Sequence, residues 1–133
     1  MTLVSQGKSA RRRSYWADVK VDQQVYDVYT CPANCVAEVD MIHVVNANGN
    51  TSVFVYWDIA AANVPPALQA TYPSGYTSNL VGGKNMAVGE YFTLQGSTLV
   101  LLPGDKIQVM SDGATPPHVD AILSVTETFV PVG

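Results

Sequence analysis

Two histidines, two cysteines and eleven acidic side chains are the groups with which this 133-residue chain can move a proton, hold a metal or attack a carbon. His43, Asp40 and Asp120 make a general-base arrangement only if separate strand positions converge, and no activated serine or cysteine motif accompanies them. His43 falls on the core-facing register of its predicted strand, where a hydrogen-bonded core histidine is expected rather than a catalyst. His118 stands at the start of another predicted strand. Glu38 and Asp40 share one strand face and read as solvated positions. The sequence holds neither a phosphate-cradling glycine loop nor a metal-ligand spacing. The expectation is a protein that is not an enzyme and uses no cofactor or metal.

Cys31 and Cys35 flank Pro32-Ala33-Asn34. Extended chain would hold their Cα atoms roughly 13 Å apart, beyond disulfide reach, whereas a tight turn would bring them closer. The opening MTLVSQGKSARRRS lacks the apolar stretch of a secretion leader, so two reduced thiols are expected, with Cys35 buried. On the same ground the Asn50-Thr51-Ser52 sequon is read as chance.

Charge is unevenly placed. Lys8, Arg11, Arg12 and Arg13 give residues 1–13 a charge of +4 with no acid among them, while the remainder sets three basic residues against eleven acids, or −8. An acidic body with a short basic arm suits docking on an acidic protein face, the favoured reading, over a solvated tail. Three adjacent arginines without interleaved aromatics offer few phosphate contacts, so nucleic acid is the least favoured partner. Only 14% of residues are charged and 47% are hydrophobic, a composition suited to a surface covered by neighbours. No apolar run approaches the roughly 20 residues of a membrane helix.

The elements that must position these groups are strands. Residues 35–45 alternate, with Cys35, Ala37, Val39, Met41 and Val45 on one side; Ile42 and Val44 break the polar side, which predicts a bulge or cover on both faces. Asn48-Gly49 supplies a turn into Thr51–Asp58, so a hairpin is expected there. Pro103-Gly104 marks a second reversal between 99–102 and the strand carrying Ile107 and Val109. In the last strand, His118 to Phe129, Val119, Ala121, Leu123 and Val125 point inward. Ser14–Val21, Gln24–Thr30 and Tyr91–Leu94 complete about eight strands. The predicted fold is all-β, an antiparallel β-sandwich (jelly-roll or Ig-like) with an extended basic N-terminal arm. Its organisation is an arm at 1–13 and a single domain at 14–133. Within that domain, residues 59–90 form a long connecting segment without period, where Tyr72 and Tyr76 are candidate contact residues.

Tyr29-Thr30-Cys31-Pro32-Ala33-Asn34 opens a strand ending Val44-Val45-Asn46, and Leu99-Val100-Leu101-Leu102-Pro103-Gly104-Asp105-Lys106-Ile107-Gln108-Val109 leads into the last strand. This pattern resembles small β-sandwich proteins encoded among tailed-bacteriophage structural genes, whose chains read tCPAN into a strand and close with L.L.pGD.i.v. The resemblance covers about residues 24–58 and 93–128; the basic arm and the 59–90 segment depart from it. It implies a non-enzymatic virion protein assembled in the host cytoplasm. The favoured form is a capsid decoration (cement) protein, trimeric at local three-fold positions, that binds the major capsid protein or other virion proteins. Lys8, Arg11, Arg12, Arg13, Tyr72 and Tyr76 are the expected partner contacts. A neck, tail or baseplate adaptor is the alternative. A carbohydrate-binding module, with Tyr72, Tyr76 and Trp57 as stacking rings, is a third reading.

Overall fold

The computed structural model describes residues 10–95 and 99–130. Nine strands follow one another: β1 (Ala10–Val19), β2 (Tyr26–Thr30), β3 (Cys35–Asn48), β4 (Thr51–Ile59), β5 (Tyr76–Met86), β6 (Tyr91–Gln95), β7 (Val100–Leu101), β8 (Lys106–Asp112) and β9 (His118–Phe129). Two short 3-10 turns, Ala61–Asn63 and Pro66–Leu68, lie between β4 and β5.

The first sheet runs β1-β9-β3-β6, with β7 continuing the β6 edge along β3; the second runs β2-β8-β4-β5. All pairings are antiparallel and nested: β1 with β9, β2 with β8, β3 with β6 and β7, β4 with β5. The chain is thus one long hairpin with its tip at β4–β5, rolled so that β9 also meets β3 and β8 also meets β4. That topology is a jelly roll, the first of the two sandwich forms expected from the alternation.

The core is the shared inner face of the two sheets. Val39, Ile42, Val44, Leu101, Val119, Leu123 and Val125 meet Val28, Val53, Val55, Met86, Ile107 and Val109 across it, all buried. Val119, Ala121, Leu123 and Val125 point inward as their alternation requires.

Several local expectations are corrected. β3 and β4 do not form a hairpin, nor do β7 and β8: each pair is split between the two sheets. Gly49 (φ 66°) and Gly104 (φ 92°) do turn the chain, but a turn reverses direction without choosing the sheet; the partners further along the chain choose it. In β3 a bulge at Asp40 shifts the register between Val39 and Met41, so Ile42 and Val44 face the core, while Met41, His43 and Val45 face outward. The 59–90 segment, read as lacking period, contains the eleven-residue β5. Two register shifts against β4 break its alternation, and Gly83 at φ 94° lies under the Phe54 ring, where a Cβ would sit 3.0 Å from Cζ. The first strand begins at Ala10, four residues earlier than expected, so Arg11, Arg12 and Arg13 lie in β1 opposite Glu127, Thr126 and Val125.

Candidate interaction surfaces

Strand parity separates the arginines of β1. Odd positions point toward the sandwich interior and even positions to its outer face. Arg11 Nε donates to Glu127 Oε1 at 2.8 Å, and its guanidinium lies 4.7 Å from the centre of the Phe129 ring. Glu127 is fully buried and also accepts Tyr29 Oη at 2.6 Å and Tyr15 Oη at 3.1 Å. Burial alone would raise the Glu127 pKa; the hydrogen bonds from Tyr29, Arg11 and Tyr15 outweigh it and hold the carboxyl below its ordinary value. Tyr29 is pushed well above the usual phenol range, by burial first and then by its bond to Glu127. Because Tyr29 comes from β2 and the other three from β1 and β9, this cluster ties the two sheets together.

Arg12, on the outer face, reaches Asp40 at 3.5 Å. Arg13 makes no ion pair among the described residues. Lys8 lies outside the described residues. Of the expected contact arginines, Arg11 is therefore committed within its own chain, while Arg12 and Arg13 keep theirs exposed.

Tyr72 and Tyr76 meet edge-to-face with ring centroids 4.9 Å apart. With Ile59, Val64, Pro65 and Leu68 they line an apolar hollow of about 200 Å³ beside the β4–β5 tip. Asp105 secures this region: buried, it accepts Ala60 N at 2.9 Å, Asn63 Nδ2 at 2.7 Å and Leu102 N at 3.0 Å. The sequence pattern offers Asp105 only as part of the Pro103-Gly104-Asp105 motif, and it gives no sign of the role of Glu127. Trp57 packs against the core and does not join the tyrosines.

The convergence of His43 with Asp40 and Asp120 does not occur. His43 lies opposite Ile122, with Nδ1 2.7 Å from Thr93 Oγ1, and meets neither Asp40 nor Asp120. His118 Nε2 lies 3.2 Å from Asp18 and 3.6 Å from Asp120, two acids that face each other directly across β1 and β9. Burial and the Asp18 charge raise the Asp120 pKa. These three residues offer ligand atoms within 4.8 Å of one another, but the Lys20 ammonium, 3.3 Å from Asp18, already supplies positive charge there. Both cysteines are free and buried, and burial pushes the Cys31 thiol up to about 11.

On the outer face of the first sheet, Trp16 faces Ile122, and Ile122 in turn faces His43. Trp16 is 73% exposed and Tyr91 67%, so this face presents aromatic surface to solvent.

No protein-family model matches the sequence, and no curated protein matches it. Solved structures match in shape. A chain from the disulfide-linked pili of Bacillus endospore appendages aligns with a TM-score of 0.50 at 8% identity, covering 98% of this chain and 97% of that one. A chain of infectious bursal virus derived T=1 particles aligns with a TM-score of 0.55 at 6% identity, over 95% of this chain and 32% of that one. The infectious bursal disease virus VP2 subviral particle gives 0.52 at 7% identity, over 95% and 34%. This chain spans about a third of the length of those virus proteins. What it shares with all of them, at such identities, is the β-sandwich fold.

Proposed function

We propose that this chain is a structural subunit of a virion and acts by contact rather than by catalysis. In its specific form it is a capsid decoration (cement) protein, a homo-oligomer on the particle in a three-fold arrangement, bound to the major capsid protein. The observation that carries this reading is the exposed aromatic face of the first sheet, Trp16 and Tyr91 above all, on a rigid jelly roll of low charge. Large exposed aromatics on an ordered sheet mark a surface meant to be covered. The proteins that share the fold are described as subviral particles, T=1 particles and pili, all built by repetition, which supports an assembly role. The Tyr72–Tyr76 hollow is the proposed socket for an apolar side chain of the shell, and Arg12 and Arg13, with Lys8, the proposed contacts for its acidic groups. Between a decoration protein and a pilus-type subunit, the burial of both thiols favours the former, because a buried thiol is out of reach of a neighbouring subunit.

The test is stoichiometry in purified particles. A decoration protein should be present in hundreds of copies, and particles lacking it should rupture at lower temperature. A copy number of about six or twelve would replace this reading with a neck, tail or baseplate adaptor.

A further inference from the structure

β1 is the outer strand of its sheet. β9 pairs one of its edges over all ten residues without a register shift, and among the described residues no backbone hydrogen bond reaches the other edge. A straight edge of unpaired N–H and C=O groups is a template for another strand, and proteins usually blunt it with proline, bulges or charges pointing over it. β1 has no proline and no bulge. Its first two arginines are drawn along the sheet faces, Arg11 to Glu127 and Arg12 to Asp40. On the outer face, near the middle of the strand, stands Trp16.

We infer that this edge pairs antiparallel with the β1 edge of a second copy of the same chain, about a two-fold axis through Tyr15. The occupant follows from charge. β1 carries three arginines directly after Ala10 and Asp18 near its end, so an antiparallel copy sets Arg12 and Asp18 together at both ends, whereas a parallel copy aligns arginine with arginine. With the axis at Tyr15, Arg12 faces Asp18 of the second copy, twice, and Ser14 faces Trp16 of the second copy, twice. The two indoles become diagonal neighbours on the same face, about 7–8 Å apart and within reach of each other. Moving the axis to Ser14 puts Arg12 against Trp16 and leaves Asp18 without an arginine; moving it to Trp16 puts Arg12 against Lys20, a like charge. Of the three, the Tyr15 register alone sets Arg12 opposite Asp18 and covers Trp16, adding a contact across the seam to those that Arg12 makes with Asp40 and Asp18 with Lys20 and His118. The product is one continuous sheet eight strands wide, formed from the two β1-β9-β3-β6 sheets, each with β7 beside β6 at its far edge. This two-fold contact goes beyond the shell role and can join three-fold groups; its failure would leave particle stoichiometry unaffected.

Sedimentation of the full chain, with a charge-swap series, tests it. The parent should self-associate to a dimer in the micromolar range. Arg12→Asp and Asp18→Arg each bring like charges together at both ends of the seam and should weaken association at least about tenfold, while the double variant R12D/D18R should restore it. A second readout does not depend on charge: chains carrying Ser14→Cys and chains carrying Trp16→Cys should form a covalent dimer on oxidation when mixed, and little when separate. A parent that stays monomeric at about 100 μM, an oligomer indifferent to the single swaps, a double variant that stays dissociated, or cross-linking as strong in the separate chains as in the mixture would each overturn the inference.

Discussion

Glu127 carries the sharpest expectation for a single residue. It is a buried carboxylate whose folded pKa lies below its ordinary value because Tyr29, Arg11 and Tyr15 all donate to it. A depressed folded pKa means that the ionised form contributes stability at neutral pH, and that this contribution is lost as pH falls from the ordinary glutamate range toward the folded value. Glu127→Gln removes the charge and one lone-pair partner, so the variant should lose about 1–3 kcal/mol at pH 7 by urea unfolding. At pH 3, below the ordinary glutamate value, the gap between variant and parent should narrow, since the contribution of the ionised carboxylate is then declining. An unchanged gap would show that the carboxylate is not the acid-sensitive group. The position was legible: Val119, Ala121, Leu123 and Val125 define an inward parity that Glu127 continues. The apolar residues that mark the parity end at Val125, and a buried acid needs partners, here from β1 and β2, that no local pattern announces.

At the scale of the element, alternation was readable wherever a strand is regular and failed at bulges. β9 and β4 keep the parity that their apolar residues spell out. β3 loses it at Asp40 and β5 at its two shifts against β4, because one inserted residue exchanges inner and outer positions for everything beyond it. Ile42 and Val44 on the polar side signal either a bulge or cover on both faces, without locating the bulge at Asp40, so the alternation puts Met41 and His43 on the wrong face. Gly75 governs the entry to β5. It sits at φ +101°, and a Cβ there would lie 2.4 Å from the Ile59 carbonyl oxygen. Gly75→Ala is therefore expected to destabilise the domain by on the order of 1–3 kcal/mol and to displace Tyr76 from Tyr72. Near-ultraviolet circular dichroism of the tyrosines and the urea midpoint read the two effects. A variant with the midpoint and tyrosine signal of the parent would mean that the 60–75 connection does not hold this turn.

For the whole molecule, the turns and alternation disclosed a two-sheet antiparallel sandwich, but not which reversals stay within a sheet. In a rolled hairpin the pairing partners lie far apart in the chain, and Arg11 and Glu127 are 116 positions apart. No window of sequence contains both. The same nesting makes the two ends of the chain one structural unit, with β1 held only by β9 along its paired edge. A chain beginning at Ser14 would keep Tyr15 and Tyr29 on Glu127 but lose Arg11, its place over Phe129, and four of the ten β1–β9 pairs. Its melting temperature should fall by on the order of 5 °C. Arg12→Ala with Arg13→Ala in the full chain should melt within about 2 °C of the parent, because neither side chain is buried. Equal melting of the Ser14 chain and the parent would show that residues 10–13 are a detachable arm; a fall confined to the Ser14 chain would show that the basic segment is stitched into the sheet, leaving Arg12 and Arg13 as the exposed charges that can meet a neighbour.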